Sequence, residues 1–273
     1  MQSGEGQAVG ETQGALAPRA ADEASQQPLI SAIIPLRNRS GDRLENCLAS
    51  LRWQEGVEAR SVEIVISDFG SDETHQPSID ALATRYEAKV VRVNEAGLWN
   101  RSRALNIGIQ GASGALLFCT DVDMIFAPNF IASILAAQEA AEGEAMVLCR
   151  CNDLPEEVPL QRWVHQDYPQ LEAQSARRDT SGTGACQAAP REFFFQARGY
   201  DEKFVYWGAE DVDMTSRAER YGLTLTWLEG TTMLHQWHPT MKRDRPLRFH
   251  INRIRYKLTR HQVVKNRGGW GQQ

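Results

Sequence analysis

The chain has 273 residues, 42% hydrophobic and 24% charged, enough apolar content to bury one large core or two small ones. Its net charge is −5, yet ten Lys or Arg and a single acid fall between Lys242 and Arg267, so that segment carries +9 and the rest about −14. An acidic body with a basic end argues against a general nucleic-acid binder and suits a local anionic partner: a diphosphate, an acidic glycan or a membrane surface.

Residues 1–28 are rich in Gly, Ala, Gln, Glu and Ser without periodicity and read as a disordered leader. A buried strand is expected over Leu29 to Pro35, then a helix with Leu44, Cys47, Leu48 and Leu51 at helical spacing. A second strand over Val62 to Ile66 ends at Ser67-Asp68-Phe69-Gly70-Ser71-Asp72. A helix from Ile79 to Tyr86 leads to a third strand, Lys89 to Val93. A helix from about Trp99 to Gln110 leads to a fourth, Ala115 to Cys119, with Asp121-Val122-Asp123 just past its end. Strands alternating with helices imply a largely parallel sheet, and ligands of such sheets sit at the carboxyl ends of the strands. Pro35, Asp68 and Asp121 all fall at such ends.

The second half reads differently. A helix is expected from Pro128 and a strand from Met146, and residues 152–189 read as loop-rich. Pro190 can open a helix toward Ala197. Gly208 to Tyr221 reads as a helix closed by Gly222, followed by strands at Leu223 to Leu228 and Thr231 to Leu234. A last amphipathic helix carries Leu247, Ile251, Ile254 and Leu258 on one stripe. It reads either as a lid near a donor diphosphate, with Lys242, Arg243 or Arg245 nearest, as an interfacial helix, or as a helix packed on the core. No run of 18 apolar residues exists, so no membrane span is expected. The N-terminus lacks a basic patch followed by an apolar core, which argues against a signal peptide. The five cysteines form no CxxC pair, so a reduced, cytoplasmic chain with buried thiols is expected, with membrane association as an open alternative.

Three constellations carry chemistry. Asp121 and Asp123, one residue apart at a strand exit, can both approach a divalent cation that bridges them to a diphosphate. Trp207-Gly208-Ala209-Glu210-Asp211 reads as a helix entry, with Glu210 or Asp211 as a general base for an acceptor hydroxyl and Trp207 as a flat face for a sugar ring. His235-Gln236-Trp237-His238 can supply a metal ligand; on an extended segment the two imidazoles do not reach one ion together, and His235 is favoured.

Read in series, Ile33-Ile34-Pro35-Leu36-Arg37-Asn38-Arg39, Ser67-Asp68-Phe69-Gly70-Ser71-Asp72, Arg101-Ser102-Arg103-Ala104-Leu105-Asn106 and Asp121-Val122-Asp123 resemble the GT-A fold glycosyltransferases, family 2 type. The later runs Gly199 to Phe204 and Trp207 to Asp213 resemble the C-terminal part of animal galactosyltransferases, bacterial chondroitin polymerase domains and polypeptide N-acetylgalactosaminyltransferases. The resemblance implies a GT-A domain over residues 29–240, a Rossmann-like α/β fold with a mixed, mainly parallel sheet flanked by helices, and a basic helix or tail over 241–273. It implies that Pro35 and Arg37 line the nucleotide pocket, Asp68 meets the base, Arg101 or Arg103 sits near the diphosphate, and Asp121 contacts ribose or metal. Asp123 would ligate Mn²⁺ or Mg²⁺ with His235, Met233 lying close by. Asp211 would be the base of an inverting transfer, with Glu210 beside it, and Gly184 would belong to a small-residue loop that admits the sugar. The partners implied are a nucleotide-sugar donor, a UDP-sugar, and a glycan or small hydroxylated acceptor. Ser67, Phe69 and Ala209 depart from the family pattern. Two alternatives compete. A sugar-phosphate nucleotidyltransferase would carry a Gly-rich loop after the first strand, where this chain has no Gly until Gly41. A non-catalytic glycan-binding relative would have lost an acid from one of the two acidic motifs, and both are intact.

Overall fold

A computed structural model describes Met1 and residues 27–178, 182–206, 208–239 and 246–272. The expected leader, Trp207 and Lys242, Arg243 and Arg245 lie outside the described residues, apart from Met1, Gln27 and Pro28 at the leader's ends. In chain order the elements are β1 (Ile30–Leu36), α1 (Asp42–Arg52), β2 (Val62–Phe69), α2 (Gln76–Arg85), β3 (Lys89–Val93), α3 (Arg101–Gly111), β4 (Leu116–Cys119), β5 (Met124–Phe126), α4 (Phe130–Ala140), β6 (Ala145–Leu148) and β7 (Cys151–Asp153). They continue with α5 (Tyr168–Gln174), β8 (Ala176–Arg177), β9 (Gln187–Pro190), α6 (Arg191–Ala197), α7 (Glu210–Tyr221), β10 (Thr224–Trp227), β11 (Met233–His235) and α8 (Pro246–Thr259).

The main sheet has seven strands in the order β10-β6-β9-β4-β1-β2-β3. Strands β1, β2, β3 and β4 pair in parallel, as do β6 and β10; β9 is antiparallel to both β4 and β6. This is the expected α/β fold with a mainly parallel sheet flanked by helices. Side chains alternate across it with period two. Ile30, Ala32, Ile34 and Leu36 of β1 join the apolar cluster that holds α1, α2 and α4, whereas Ile33 joins the cluster of α3, α6 and α7. On the first face Phe118, Phe126 and Phe130 meet at ring separations of 4.9–5.7 Å, and each side chain buried that fully contributes about 1.5–3 kcal/mol. On the second face α3 approaches β1 closely at Gly108, where a Cβ would stand 2.5 Å from Ile33 Cγ2.

The expected helices and strands of the first half are all present. Missing from the expectation are β5, β7, β8, β9 and α5, most of them in the stretch that reads as loop. Strand β9 is the consequential one, since Gln-Ala-Ala-Pro has little strand propensity of its own and forms by filling the slot between β4 and β6. A second sheet, β5-β11-β7-β8, stands beside the exit of β4. Its β11 pairs antiparallel to β5 and parallel to β7, which sets His235 opposite Met124 and Asp153.

Candidate active site

Four parallel strands bring their carboxyl ends to one rim: Pro35 and Leu36 of β1 register with Ser67 and Asp68 of β2, and β4 exits into Asp121 and Asp123. Just beyond β1, Arg37 donates to the carbonyls of Phe69, Gly97 (2.7 Å) and Glu95 (2.9 Å). Its guanidinium lies 5.1 Å from the centre of the Phe69 ring, and that of Arg103 lies 5.5 Å from it. Arg103 also pairs with Glu95 at 2.6 Å. These two arginines therefore organise the turns after β2 and β3. Asp68 is fully buried: its carboxylate accepts from Ser71 N at 3.0 Å and from Arg92 Nε at 2.7 Å. One oxygen is thus engaged by the turn after β2 and the other by β3.

Arg101 opens α3 after the Asn100 cap, whose side chain accepts from Arg103 N. It turns the other way from Arg103. Its Nε donates to Asp121 Oδ1 at 2.9 Å, and its Nη2 to Gly184 O at 2.7 Å. Its Nη1 is buried without a hydrogen-bond partner. Arg101 thus joins the acidic loop after β4 to the Gly184 loop, and of the two candidate arginines it is the one at the acids. Burial pushes the Asp121 carboxyl up, against the pull of Arg101.

Asp123 faces two imidazoles. Its Oδ2 is 3.2 Å from His238 Nε2 and 3.6 Å from His235 Nε2. One ligand atom from each of the three residues lies within 4.8 Å of the others. Burial opposes ionisation of Asp123, but its hydrogen bonds to His235 and His238 outweigh that and hold its carboxyl well below the usual carboxylate range. The hydrogen bond to Asp123 in turn raises His238. The expectation that the two histidines do not reach one ion together meets a different geometry here, with both imidazoles facing Asp123. It assumed an extended segment, but strand pairing stops at His235. Gln236 N then donates to Asp123 O at 2.9 Å, and the buried Gln236 amide bonds Asn46 and Arg43 O, so the chain turns and returns His238 to Asp123. Behind His235 stands a residue the sequence did not single out: Asp153 Oδ1 lies 3.1 Å from His235 Nδ1, with Arg178 on the same carboxylate. No local motif announces Asp153, because the three-residue β7 meets β11 through nonlocal pairing.

Asp211 and Glu210 start α7. Glu210 is buried and accepts from Gly208 N at 2.8 Å. Burial raises its carboxyl, Arg101 opposes this, and Asp211 adds to it. Asp211 is less enclosed; its Oδ2 lies 3.5 Å from Thr183 Oγ1 and 3.7 Å from the position a Gly184 Cβ would take. Its backbone carbonyl accepts from Gln187 Nε2, whose amide oxygen accepts from the buried Tyr200 hydroxyl. Ala209, the residue before α7, adopts φ 74°, a left-handed conformation that favours glycine. A continuous path therefore runs from the histidines through Asp123, Asp121, Arg101 and Gly184 to Asp211. Met233 is buried in β11, two residues before His235.

The sequence profile described as "Glycosyl transferase family 2" matches residues 31–198, and that described as "N-terminal domain of galactosyltransferase" matches residues 171–239. Among characterised proteins the chain is similar to the validoxylamine A glucosyltransferase of Streptomyces hygroscopicus subsp. jinggangensis, 27% identical over 74% of this chain and 54% of that protein. It is also similar to the chondroitin synthase of Escherichia coli, 22% identical over 77% of this chain and 35% of that one. The chain thus spans about half the length, or less, of these relatives. Among solved structures it is similar to GalNAc-T7 with UDP, GalNAc and Mn2+, with a TM-score of 0.61 and 19% identity over 80% of this chain and 45% of that one. It is likewise similar to S. aureus TarS 1-349 in complex with UDP-GlcNAc, with a TM-score of 0.58 and 15% identity over 77% and 59%. These likenesses establish the expected GT-A fold, and since the first profile covers more than half of the sequence, the chain belongs to glycosyl transferase family 2.

Proposed function

We propose that this chain transfers a sugar from a UDP-sugar to an acceptor hydroxyl with inversion, using Asp211 as the base and a divalent cation held by Asp123, His235 and His238. The observation that carries the reading is the continuous path from the His–Asp–His cluster through Arg101 to Asp211. The ligands of the two similar structures, UDP with Mn2+ in one and UDP-GlcNAc in the other, support the donor class.

The residues present fit a metal. One carboxylate kept ionised and two imidazoles converge, with donor atoms inside 4.8 Å. Two nitrogen donors suit Mn²⁺ better than Mg²⁺, which prefers an all-oxygen shell. When bound, such a cation offsets the negative charge that grows on the departing diphosphate. The chain's own residues do the rest. Asp153 holds His235 by its Nδ1 and turns Nε2 toward Asp123. Arg101 fixes Asp121 and brings the Gly184 loop against Asp211. Asp211 takes the proton of the acceptor hydroxyl as that oxygen attacks the anomeric carbon. Glu210, buried and bonded to Gly208, holds the entry of α7 so that the Asp211 carboxylate stays on the cleft side. Pro35 and Arg37 shape the nucleotide end of the rim, and Arg103 and Asp68 brace the turns there.

A screen of UDP-sugars with and without Mn²⁺, read by UDP release in the presence of glycan acceptors, tests the reading. Metal-dependent release with at least one donor is expected, and Asp211→Asn should lower kcat by about 10²–10⁴ while UDP binding stays within about threefold. Pyrophosphate release from a nucleoside triphosphate and a sugar phosphate, or turnover by Asp211→Asn near the wild-type rate, would overturn it.

A further inference from the structure

Helix α8 leaves its apolar stripe uncovered. Leu247, Ile251, Ile254 and Leu258 are exposed by 71, 43, 58 and 68%. At about 100° per residue the four fall within roughly 60° of one another, along about 16 Å of helix. The opposite side of α8 is the one fastened to the domain. Asn252 Nδ2 donates to Val205 O, Arg255 forms a paired contact with Asp201 at 2.8 and 3.0 Å, and Tyr256 OH meets Ser216 Oγ at 2.8 Å. Phe249 packs on Gly208, where a Cβ would stand 2.7 Å from its ring. The helix is therefore held rigidly by one face while its hydrophobic face points outward. On the flanks of the stripe Arg248 and Lys257 are exposed, and residues 246–272 contain no Asp or Glu.

We infer that α8 lies in the headgroup region of an anionic phospholipid membrane, with these four side chains inserted and the flanking cations on the lipid phosphates. An outward apolar stripe bordered by cations is the pattern of an interfacial helix. Fourteen residues are too few to cross a bilayer, and among the described residues no helix is long and apolar enough to do so. Charge complementarity selects a lipid surface over a second copy of the chain. A face-to-face copy would set Arg248 and Lys257 against the same cations, with no acid in the segment to offset them, whereas anionic headgroups neutralise both. Because the inner face of α8 clamps the turn before Glu210, membrane contact would hold the entry of α7 at a set distance from the lipid surface.

Co-sedimentation of the full chain with unilamellar vesicles tests this without any turnover, so its outcome is separate from that of the proposed transfer. Vesicles of phosphatidylcholine with about one third phosphatidylglycerol should bind the chain about tenfold or more better than phosphatidylcholine alone, and the difference should fade in about 0.5 M NaCl. The double variant Ile254→Ser/Leu258→Ser should lose binding to both, and Arg248→Gln/Lys257→Gln should lose the preference for the anionic lipid. Circular dichroism and UDP binding of both variants should match wild type, as a check on folding. Absence of vesicle binding, equal binding to both compositions, or unchanged binding by the apolar variant would refute the inference. So would light scattering that shows a dimer which Ile254→Ser/Leu258→Ser converts to a monomer, since the stripe would then be a self-interface.

Discussion

Replacing Arg101 with Met removes the side chain that joins the acidic loop to the Gly184 loop. Arg101 makes hydrogen bonds of 2.9 Å to Asp121 and 2.7 Å to Gly184 O, and its side chain is 11% exposed against 34% for that of Asp121. Removing one partner of a fully buried pair costs about 3–5 kcal/mol, and an exposed pair contributes about 0–1 kcal/mol. With a third of Asp121 open to solvent, the loss falls between these, at about 2–3 kcal/mol. For a domain of this size each kcal/mol moves Tm by about 2–4 °C, so Arg101→Met should melt about 4–12 °C lower. The effect on turnover is larger, because Asp121 and Asp211 lose their common reference point. A displacement of about 1 Å at a reacting centre costs about a hundredfold, and a fall of that order is expected in kcat/KM. Arg101→Lys keeps the charge but not the fork that reaches two partners, so it should recover part of the Tm and little of the activity. Thermal melts and UDP-release kinetics with Mn²⁺ on the three proteins measure both effects. Arg101→Met melting within about 2 °C of wild type, with kcat/KM within about threefold, would refute the reasoning.

Asp153→Asn should weaken Mn²⁺ binding about 10–100-fold through His235, and His238→Ala should weaken it at least as much; titration by electron paramagnetic resonance reads this, and unchanged affinity in both would remove the proposed ligand set. On the inner face of α7, Asp213 and Arg217 are each wholly buried, 3.0 Å apart, with Lys265 3.5 Å from Asp213. Asp213→Asn should cost about 3–5 kcal/mol in urea unfolding, whereas Asp213→Leu with Arg217→Met should cost less; a single-variant loss below about 1 kcal/mol would show that the pair is not a tightly enclosed one. All five thiols are free and buried. Burial pushes Cys149 up to about 11 and Cys119 and Cys151 to about 12 from an ordinary 9.0. The folded chain therefore keeps protons that the unfolded chain releases above pH 9. Stability from these groups is full below about pH 9 and is lost as pH rises toward 11–12. Iodoacetamide at pH 8 should label no thiol until the chain is denatured, and stoichiometric labelling of the folded chain would contradict the burial.

Much of the site was legible in the sequence because the first half is built from local rules. Period-two apolar runs and helical spacing define β1 to β4 and α1 to α3, and a parallel sheet must send Pro35, Asp68 and Asp121 to one rim. The acids of the two motifs and His235 stood out as candidates by residue type, strand position and the order of the family's motifs. What tertiary structure decided lies where partners are distant in sequence. Whether His238 joins His235 depended on Gln236 being pinned by Asn46, Arg43 and the backbone of Asp123, none of which a four-residue motif contains. Asp153 reaches His235 because two three-residue strands pair, and β9 exists because β4 and β6 leave a slot for it. Arg101 and Arg103, two residues apart on one helix, point about 200° away from each other, and the fold assigns one to Asp121 and the other to Glu95. The sequence likewise showed that α8 is amphipathic, but which side it presents outward was fixed by Asp201, Val205, Gly208 and Ser216, which hold its polar face to the domain and leave the apolar one free.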